Sequence, residues 1–132
     1  MILIACVESS FGMCFNGRRV SRDKIVTDRI LKLTEGYPLY ITDFSKDLFE
    51  NSEAVLVEDV LNPADKEGYF FVENVIPEGF ENIEKIILFM WNRDYPSDLK
   101  LKLPENFKEI NRFDLKGNSH EKITEVHYAK IT

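Results

Sequence analysis

The first 23 residues constrain the fold more than any other part of the chain. Ile2 to Val7 is apolar and rich in β-branched residues, which is typical of a strand buried on both faces. Ser9 to Gly17 is predicted to be a loop, with a tight turn at Asn16-Gly17 because both residues tolerate positive φ. Ser21 is predicted to be the N-cap of a helix. This order predicts an α/β fold with a ligand site beside the C-terminal end of the strand.

The rest of the chain predicts a mixed sheet. Val26, Ile30 and Leu33 form one buried stripe of the first helix, which Gly36 ends, and Ser45 is predicted to cap a short second helix that opens at Phe44. Strands are predicted over Pro38–Thr42, Ala54–Glu58, Gly68–Val72, Lys85–Trp91, Phe107–Leu115 and Lys122–Ile131, with a polar loop at Asn62–Gly68. Lys85–Trp91, the most hydrophobic segment, is predicted to be the centre of the sheet. The early half is expected to be parallel with helices packed on it, and the late half to be an antiparallel hairpin.

Composition limits the class of protein. The length of 132 residues predicts a single domain over 1–132, and 44% hydrophobic with 30% charged residues is ordinary for a globular chain. The longest apolar run, Ile86–Trp91, is too short to cross a bilayer, and the N-terminus lacks signal-peptide features, so a cytoplasmic protein is expected. Cys6 and Cys14 are expected to be idle thiols. A net charge of −6 disfavours nucleic acid as a partner.

Several motifs resemble dihydrofolate reductase in their order along the chain. They are Ile4-Ala5 followed by Gly12-Met13, Leu33 to Pro38, Ile83 to Trp91, Asp94-Tyr95-Pro96, and Ser119-His120 before the last strand. The resemblance implies a dihydrofolate-reductase-like, three-layer mixed sheet in a divergent and shortened member of the family.

The departures from that family concern its functional residues. Val26 stands where the resemblance places the acid that binds the pterin ring, and Phe89 replaces the threonine partner of that acid. The Gly-Arg-x-Thr phosphate cradle is replaced by Thr42-Asp43-Phe44-Ser45, where an aspartate would repel a phosphate. Glu73-Asn74 replaces the paired glycines that let the backbone approach the cofactor. The resemblance therefore implies that NADPH binding and folate reduction are lost, so no cofactor is expected.

The chain also resembles small bacterial chains that carry the label ribonuclease Z. That family requires a His-x-His-x-Asp-His cluster to hold two zinc ions. The sequence has two histidines, His120 and His127, in the predicted closing hairpin. They cannot supply such a site, so we reject this label and expect no metal.

The candidate site residues fall in two segments. They are Asn16, Arg18, Arg19, Ser21 and Asp23 after the first strand, and Glu73 and Asn74 after the strand at Gly68–Val72. Two guanidiniums, a hydroxyl and free helix N–H groups suit a phosphate or carboxylate, and the alternative is a solvated basic turn that pairs with local acids. Glu73 is either a general base or ligand contact, or a polar strand end. Ser119-His120 is predicted to be a polar hairpin turn rather than a catalytic dyad, because neighbours in an extended strand point to opposite faces.

Three functional hypotheses follow. The first is a small cytoplasmic protein that binds a small anionic or nucleotide-like ligand through Arg18 and Arg19, without NADPH-dependent reductase activity. The second is a hydrolase of a phosphorylated or RNA substrate, in which Glu73 or Asp23 takes a proton role. The third is a non-catalytic interaction module that meets a partner through the sheet edge or the rim near Trp91. The sequence leaves the oligomeric state open.

Overall fold

A computed structural model describes residues 1–57 and 67–131 of the protein. Its strands are β1 (Ile2–Val7), β2 (Gly12–Phe15), β3 (Arg18–Arg19), β4 (Leu39–Ile41), β5 (Val55–Leu56), β6 (Tyr69–Val72), β7 (Lys85–Met90), β8 (Leu99–Lys100), β9 (Phe107–Leu115) and β10 (Ile123–Lys130). The helices are α1 (Lys24–Leu33) and a 3-10 helix (Asp43–Phe49). Most of the predicted loop at Asn62–Gly68 and the end of the predicted strand at Glu58 lie outside the described residues.

The main sheet is mixed, as the sequence predicts. Its seven strands have the order β5-β4-β6-β1-β7-β10-β9. The first five are parallel to one another, while β10 runs antiparallel to both β7 and β9. The antiparallel C-terminal hairpin is therefore confirmed. β1 is the middle strand and β7 lies beside it, so the most hydrophobic segment is next to the centre rather than at it.

The sheet is buried on both faces. Along β1, Leu3, Ala5 and Val7 pack on one face, while Ile4 packs on the other, because successive side chains alternate. The second face is covered by α1 and the 3-10 helix, through Val26, Ile30 and Phe49 among others. The first face is covered, in the described part, by non-helical segments that include Ile83, Phe80 and Leu101. The result is a layer of chain on each side of the sheet.

The predicted loop at Ser9–Gly17 contains a strand, which corrects that prediction. β2 pairs antiparallel with β3 and with β8, forming a second, three-stranded sheet. The turn at Asn16 (φ 51) and Gly17 (φ 74) is confirmed, since both residues have positive φ, as in the tightest hairpin turns. β2 has four residues and β3 two, which is too short for a hydrophobic period to appear in the sequence.

Both predicted helix caps are corrected. Asp23 caps α1, because its Oδ1 accepts from the Ile25 backbone N–H at 2.9 Å, so Ser21 lies outside the helix start. The 3-10 helix begins after Thr42, whose side chain makes no capping bond, and Ser45 lies buried inside it. Ser45 instead donates to Glu73 at 2.8 Å. Beyond α1, Gly36 adopts φ +84, the left-handed conformation that ends helices.

Candidate functional site

The candidate site lies where the C-terminal ends of β1, β6 and β7 meet. Because these strands are parallel, their ends share one edge of the sheet, the place where α/β folds bind ligands. Cys6 of β1, Glu73 after β6 and Trp91 after β7 line one small cavity there, together with Ser21 and Asp23 from the segment before α1. The segments after β1 and β6 that the sequence singled out are thus neighbours in space.

Arg19 is held by two carboxylates. Its Nε donates to Glu73 Oε2 at 2.8 Å and its Nη1 to Asp47 Oδ2 at 2.7 Å, while Nη2 reaches the second oxygen of each carboxylate and the Phe44 carbonyl. Ser45 adds a further hydrogen bond to Glu73. The donors of Arg19 are therefore engaged inside the protein, in a bidentate geometry that holds the guanidinium in place.

The charged groups in this cluster shift one another's pKa values. Hydrogen bonds to Asp47 and Glu73 raise the pKa of Arg19, and Arg19 lowers the pKa of Asp47. Burial raises the pKa of Glu73, and this outweighs the opposing hydrogen bonds from Arg19 and Ser45. Glu73 is 6% exposed, and each of its carboxylate oxygens accepts a hydrogen bond from the Arg19 cation.

Arg18 has the opposite environment from Arg19. Neighbouring residues of a strand point to opposite sides, so Arg18 is exposed. None of the described residues forms a hydrogen bond or ion pair with its guanidinium. It lines an open cleft of about 410 Å³ whose walls include Phe15, Asn16, Val20 and Tyr95. The cleft therefore offers one free cation between aromatic side chains.

Asp23, His120 and Ser21 form a hydrogen-bonded relay. Asp23 Oδ2 lies 2.9 Å from His120 Nδ1, and His120 Nε2 lies 2.9 Å from Ser21 Oγ. Trp91 stacks on the imidazole with ring centroids 4.7 Å apart, and the Tyr95 hydroxyl lies 3.5 Å from Nε2. His120 and Asp23 are buried, at 5% and 4% exposed. The relay joins the start of α1 to the closing hairpin.

Asp23 stays ionised in this relay. Burial alone would raise the pKa of its carboxyl, but hydrogen bonds from the Asn118 N–H, His120 and the Ser119 N–H hold that pKa well below its usual range. An ionised carboxylate only accepts hydrogen bonds. The hydrogen-bond network therefore assigns the imidazole proton to Nδ1, which leaves Nε2 as the acceptor for the Ser21 hydroxyl.

The structure accounts for the remaining candidate residues. Asn16 occupies the exposed turn, and its N–H donates to Asp98 Oδ2 at 2.9 Å. Asn74 is half-buried, and its side-chain oxygen has no partner among the described residues. The sequence interpretation missed His120, which it placed in a polar turn, because Asp23 and Ser21 lie 97 and 99 positions away. No local pattern signals a contact at that separation.

Within residues 1–57 and 67–131, no three His, Cys, Asp or Glu side chains are grouped so that they could hold a metal ion. The two histidines contact different carboxylates. His120 is hydrogen-bonded to Asp23, and His127 Nε2 lies 2.6 Å from Glu125 Oε2. None of the helices in that part of the chain is long and apolar enough to span a membrane.

The fold and the site define a class of small mixed α/β proteins with a pocket at the C-terminal ends of parallel strands. Among solved structures, the chain is similar to a dihydrofolate reductase from Enterococcus faecalis complexed with NADP(H) and RAB-propyl. The TM-score is 0.64, with 8% identity, over 98% of this chain and 95% of that chain. No protein-family model and no curated protein matches the sequence. The protein has a dihydrofolate-reductase-like fold, and at this identity the likeness concerns the fold alone.

Proposed function

We propose that the protein binds a small anionic or nucleotide-like ligand in the cleft beside the β2–β3 hairpin. The observation that carries this proposal is the exposed guanidinium of Arg18, which no described residue engages and which lines the cleft. A guanidinium presents paired N–H donors that match phosphate or carboxylate oxygens.

The walls of the cleft suit a planar ring next to the anion. Phe15 is 48% exposed, which is high for a phenylalanine, and Tyr95 lies on the same cleft. Aromatic faces bind a base or another flat ring by stacking. The side-chain amide of Asn16 adds a donor and an acceptor at the cleft edge. A nucleotide-like ligand would thus place its ring on Phe15 or Tyr95 and its anionic group on Arg18.

We further propose that the protein has no NADPH-dependent reductase activity. Val26, at the position of the ring-binding acid, is 2% exposed and packs in the core. Asp43 opens the 3-10 helix where the family holds phosphate, and the Glu73 carboxylate lies after β6 in place of a glycine. Asp23 cannot replace the missing acid, because hydrogen bonds from Ile25, Asn118, Ser119 and His120 occupy both of its oxygens.

Thermal unfolding with AMP, ATP, inorganic phosphate, folate and NADPH tests both statements. A ligand at about a hundred times its dissociation constant stabilises the folded state by about 2.7 kcal/mol, which raises the melting temperature measurably. We expect a shift with an adenine nucleotide that Arg18→Ala abolishes. Arg112→Ala is the matched control, since Arg112 is an exposed arginine on β9 that pairs with Glu109. A nucleotide shift that persists in Arg18→Ala, or an NADPH shift that Arg18→Ala leaves unchanged, would contradict the proposal.

A cytoplasmic location is part of the same proposal. Cys6 and Cys14 are both free thiols, which suits a reducing compartment. Fractionation of cells that express the full chain tests this location, and recovery with the membrane fraction or in the medium would contradict it.

A further inference from the structure

We propose that Ser21 is a nucleophile activated by His120 and Asp23, and that the protein hydrolyses small carboxylic esters at this site. The three side chains stand in the order that acyl-transfer enzymes require: a hydroxyl on one imidazole nitrogen and a carboxylate on the other. Both contacts are 2.9 Å, within the reach of a direct proton transfer. The residues come from the segment before α1 and from the closing hairpin, so the fold brings them together.

Contacts with neighbouring residues hold the Asp23 and His120 side chains in position. Asp23 accepts from the Asn118 and Ser119 backbone N–H groups, at 2.9 and 2.8 Å, which fixes the carboxylate against His120. The stacked Trp91 ring fixes the plane of the imidazole. Ser21 is half-buried rather than enclosed. Such preorganisation is what distinguishes an activated serine from an ordinary one.

A second observation points to a reacting oxygen at this site. The indole N–H of Trp91 is buried and has no hydrogen-bond partner among the described residues, although a buried donor left unpaired destabilises the folded state. Trp91 lines the same cavity as Ser21. A preorganised donor without an acceptor is the group that stabilises the oxyanion formed during acyl transfer. We assign the Trp91 N–H to that role.

Cys6 also lines this cavity, and its environment makes its thiol a weaker nucleophile than the Ser21 hydroxyl. Burial, together with the negative charge of Glu73, raises the pKa of the Cys6 thiol well above its ordinary value. The thiolate is the reactive form of cysteine, so this thiol stays protonated and unreactive. Ser21 has a base within hydrogen-bond distance, and Cys6 has no carboxylate–histidine pair among the described residues.

The reaction proceeds in two balanced halves. Ser21 Oγ attacks the ester carbonyl carbon while its proton passes to His120 Nε2. The carbonyl π electrons move onto the carbonyl oxygen, which accepts a hydrogen bond from the Trp91 N–H. The intermediate collapses, the C–O bond to the alcohol breaks, and that alcohol leaves with the proton from Nε2. Water then gives a proton to Nε2 and attacks the acyl carbon. The acyl–Oγ bond breaks, the acid leaves, and Ser21 regains its proton.

The relay borders the proposed ligand cleft. Tyr95 lines the cleft and its hydroxyl lies 3.5 Å from His120 Nε2, while Val20, the residue before Ser21, lines the cleft as well. The esterase proposal nevertheless does not depend on the nucleotide proposal. If the fluorophosphonate labels Ser21 but no nucleotide shifts the melting temperature, the ligand proposal fails and the esterase proposal stands. If a nucleotide shifts the melting temperature but Ser21 is not labelled, the esterase proposal fails and the ligand proposal stands.

An alkyl fluorophosphonate, which reacts with activated serines, tests the proposal on the full chain. We expect one adduct, which peptide mapping by mass spectrometry locates on Ser21, and no adduct on His120→Asn at the same probe concentration. Ser10 is the internal control, because it is more exposed than Ser21 but lies outside the relay. Ser10→Ala should label like the unchanged protein. A folded protein that shows no Ser21 adduct, or equal labelling of Ser10 and Ser21, would overturn the proposal.

Hydrolysis of p-nitrophenyl acetate gives the second readout. Ser21→Ala should lower the rate of release of p-nitrophenol by ~10²-fold or more, and Trp91→Phe, which keeps the ring but removes the N–H, by about the same factor. Circular dichroism and the melting temperature check that each variant is folded. If Ser21→Ala is unfolded, blocking of the unchanged protein's hydrolysis by the fluorophosphonate decides the matter. A rate that Ser21→Ala leaves intact would contradict the proposal.

Discussion

At the residue scale, one carboxylate joins three parts of the fold. Asp23 caps α1 through Ile25, accepts from the turn of the closing hairpin at Asn118 and Ser119, and orients His120. The sequence predicted Asp23 as a ligand contact, and its neighbour Ser21 as the cap. Both residues are good helix caps, and local reasoning could not choose between them, because the hydrogen bonds from Asn118, Ser119 and His120 that also hold Asp23 come from the far end of the chain.

The depressed pKa of Asp23 predicts a loss of stability in acid. The folded-state pKa lies below the unfolded value of about 3.9, so the stabilisation is fully present above that value. It is lost as the pH falls through the folded-state pKa. We expect the urea midpoint to fall steeply from pH 5 to pH 2. Asp23→Asn, which removes this titration, should have a lower midpoint at pH 7 and a shallower slope. Equal slopes for the two proteins would contradict the role of Asp23.

Truncation of the two adjacent arginines should change the stability of the protein by very different amounts. Arg19→Ala leaves Glu73 buried without its cation, so we expect a loss of about 3 kcal/mol in the free energy of unfolding. Arg18→Ala should change it by less than ~0.5 kcal/mol, because no described residue engages that side chain. Urea unfolding of both variants at pH 7 measures the difference. Glu73→Gln should recover part of the Arg19→Ala loss, and similar losses for both arginines would contradict the assignment.

At the element scale, the strands of the main sheet were predictable and those of the small three-stranded sheet were not. The patterns at Ile2–Val7, Lys85–Trp91 and the closing hairpin predicted β1, β7, β9 and β10, since each has enough residues to display its burial. β2, β3 and β8 are two to four residues long and depend on one another for pairing. Their order follows from contacts between distant segments, so the sequence interpretation placed a loop where the hairpin lies.

Gly12 tests the packing of this small sheet. A Cβ at Gly12 would overlap the side chain of Ser97 and crowd the Glu8 carboxylate, which accepts from the Gly12 N–H. We expect Gly12→Ala to lower the free energy of unfolding by about 2 kcal/mol, as overpacking does elsewhere. Gly17→Asn is the control, because Gly17 is open to solvent and asparagine tolerates its φ of +74. Chemical denaturation compares the two variants. A Gly12→Ala protein as stable as the control would show that the crowding is absent.

At the scale of the whole molecule, the fold is better determined by sequence than the site. The order of motifs was enough to predict a dihydrofolate-reductase-like sheet, although the similar solved structure shares 8% of its residues with this chain. Hydrophobic alternation specifies a sheet through many residues at once, so single changes do little. The site instead depends on a few side chains. Only the assembled fold brings His120 to Asp23 and Ser21, and only the assembled fold leaves Arg18 without an ion-pair partner among the described residues.

The proposed function requires that the cleft beside the β2–β3 hairpin binds a nucleotide-like anion through Arg18. Titration of the ¹⁵N-labelled protein with AMP, followed by two-dimensional amide NMR, tests it most directly. We predict saturable amide shifts that cluster at Phe15, Asn16, Arg18 and Tyr95. These shifts should be absent in Arg18→Ala and unchanged in Arg112→Ala. Absence of saturable shifts at millimolar AMP, or shifts that cluster away from this cleft, would contradict the claim.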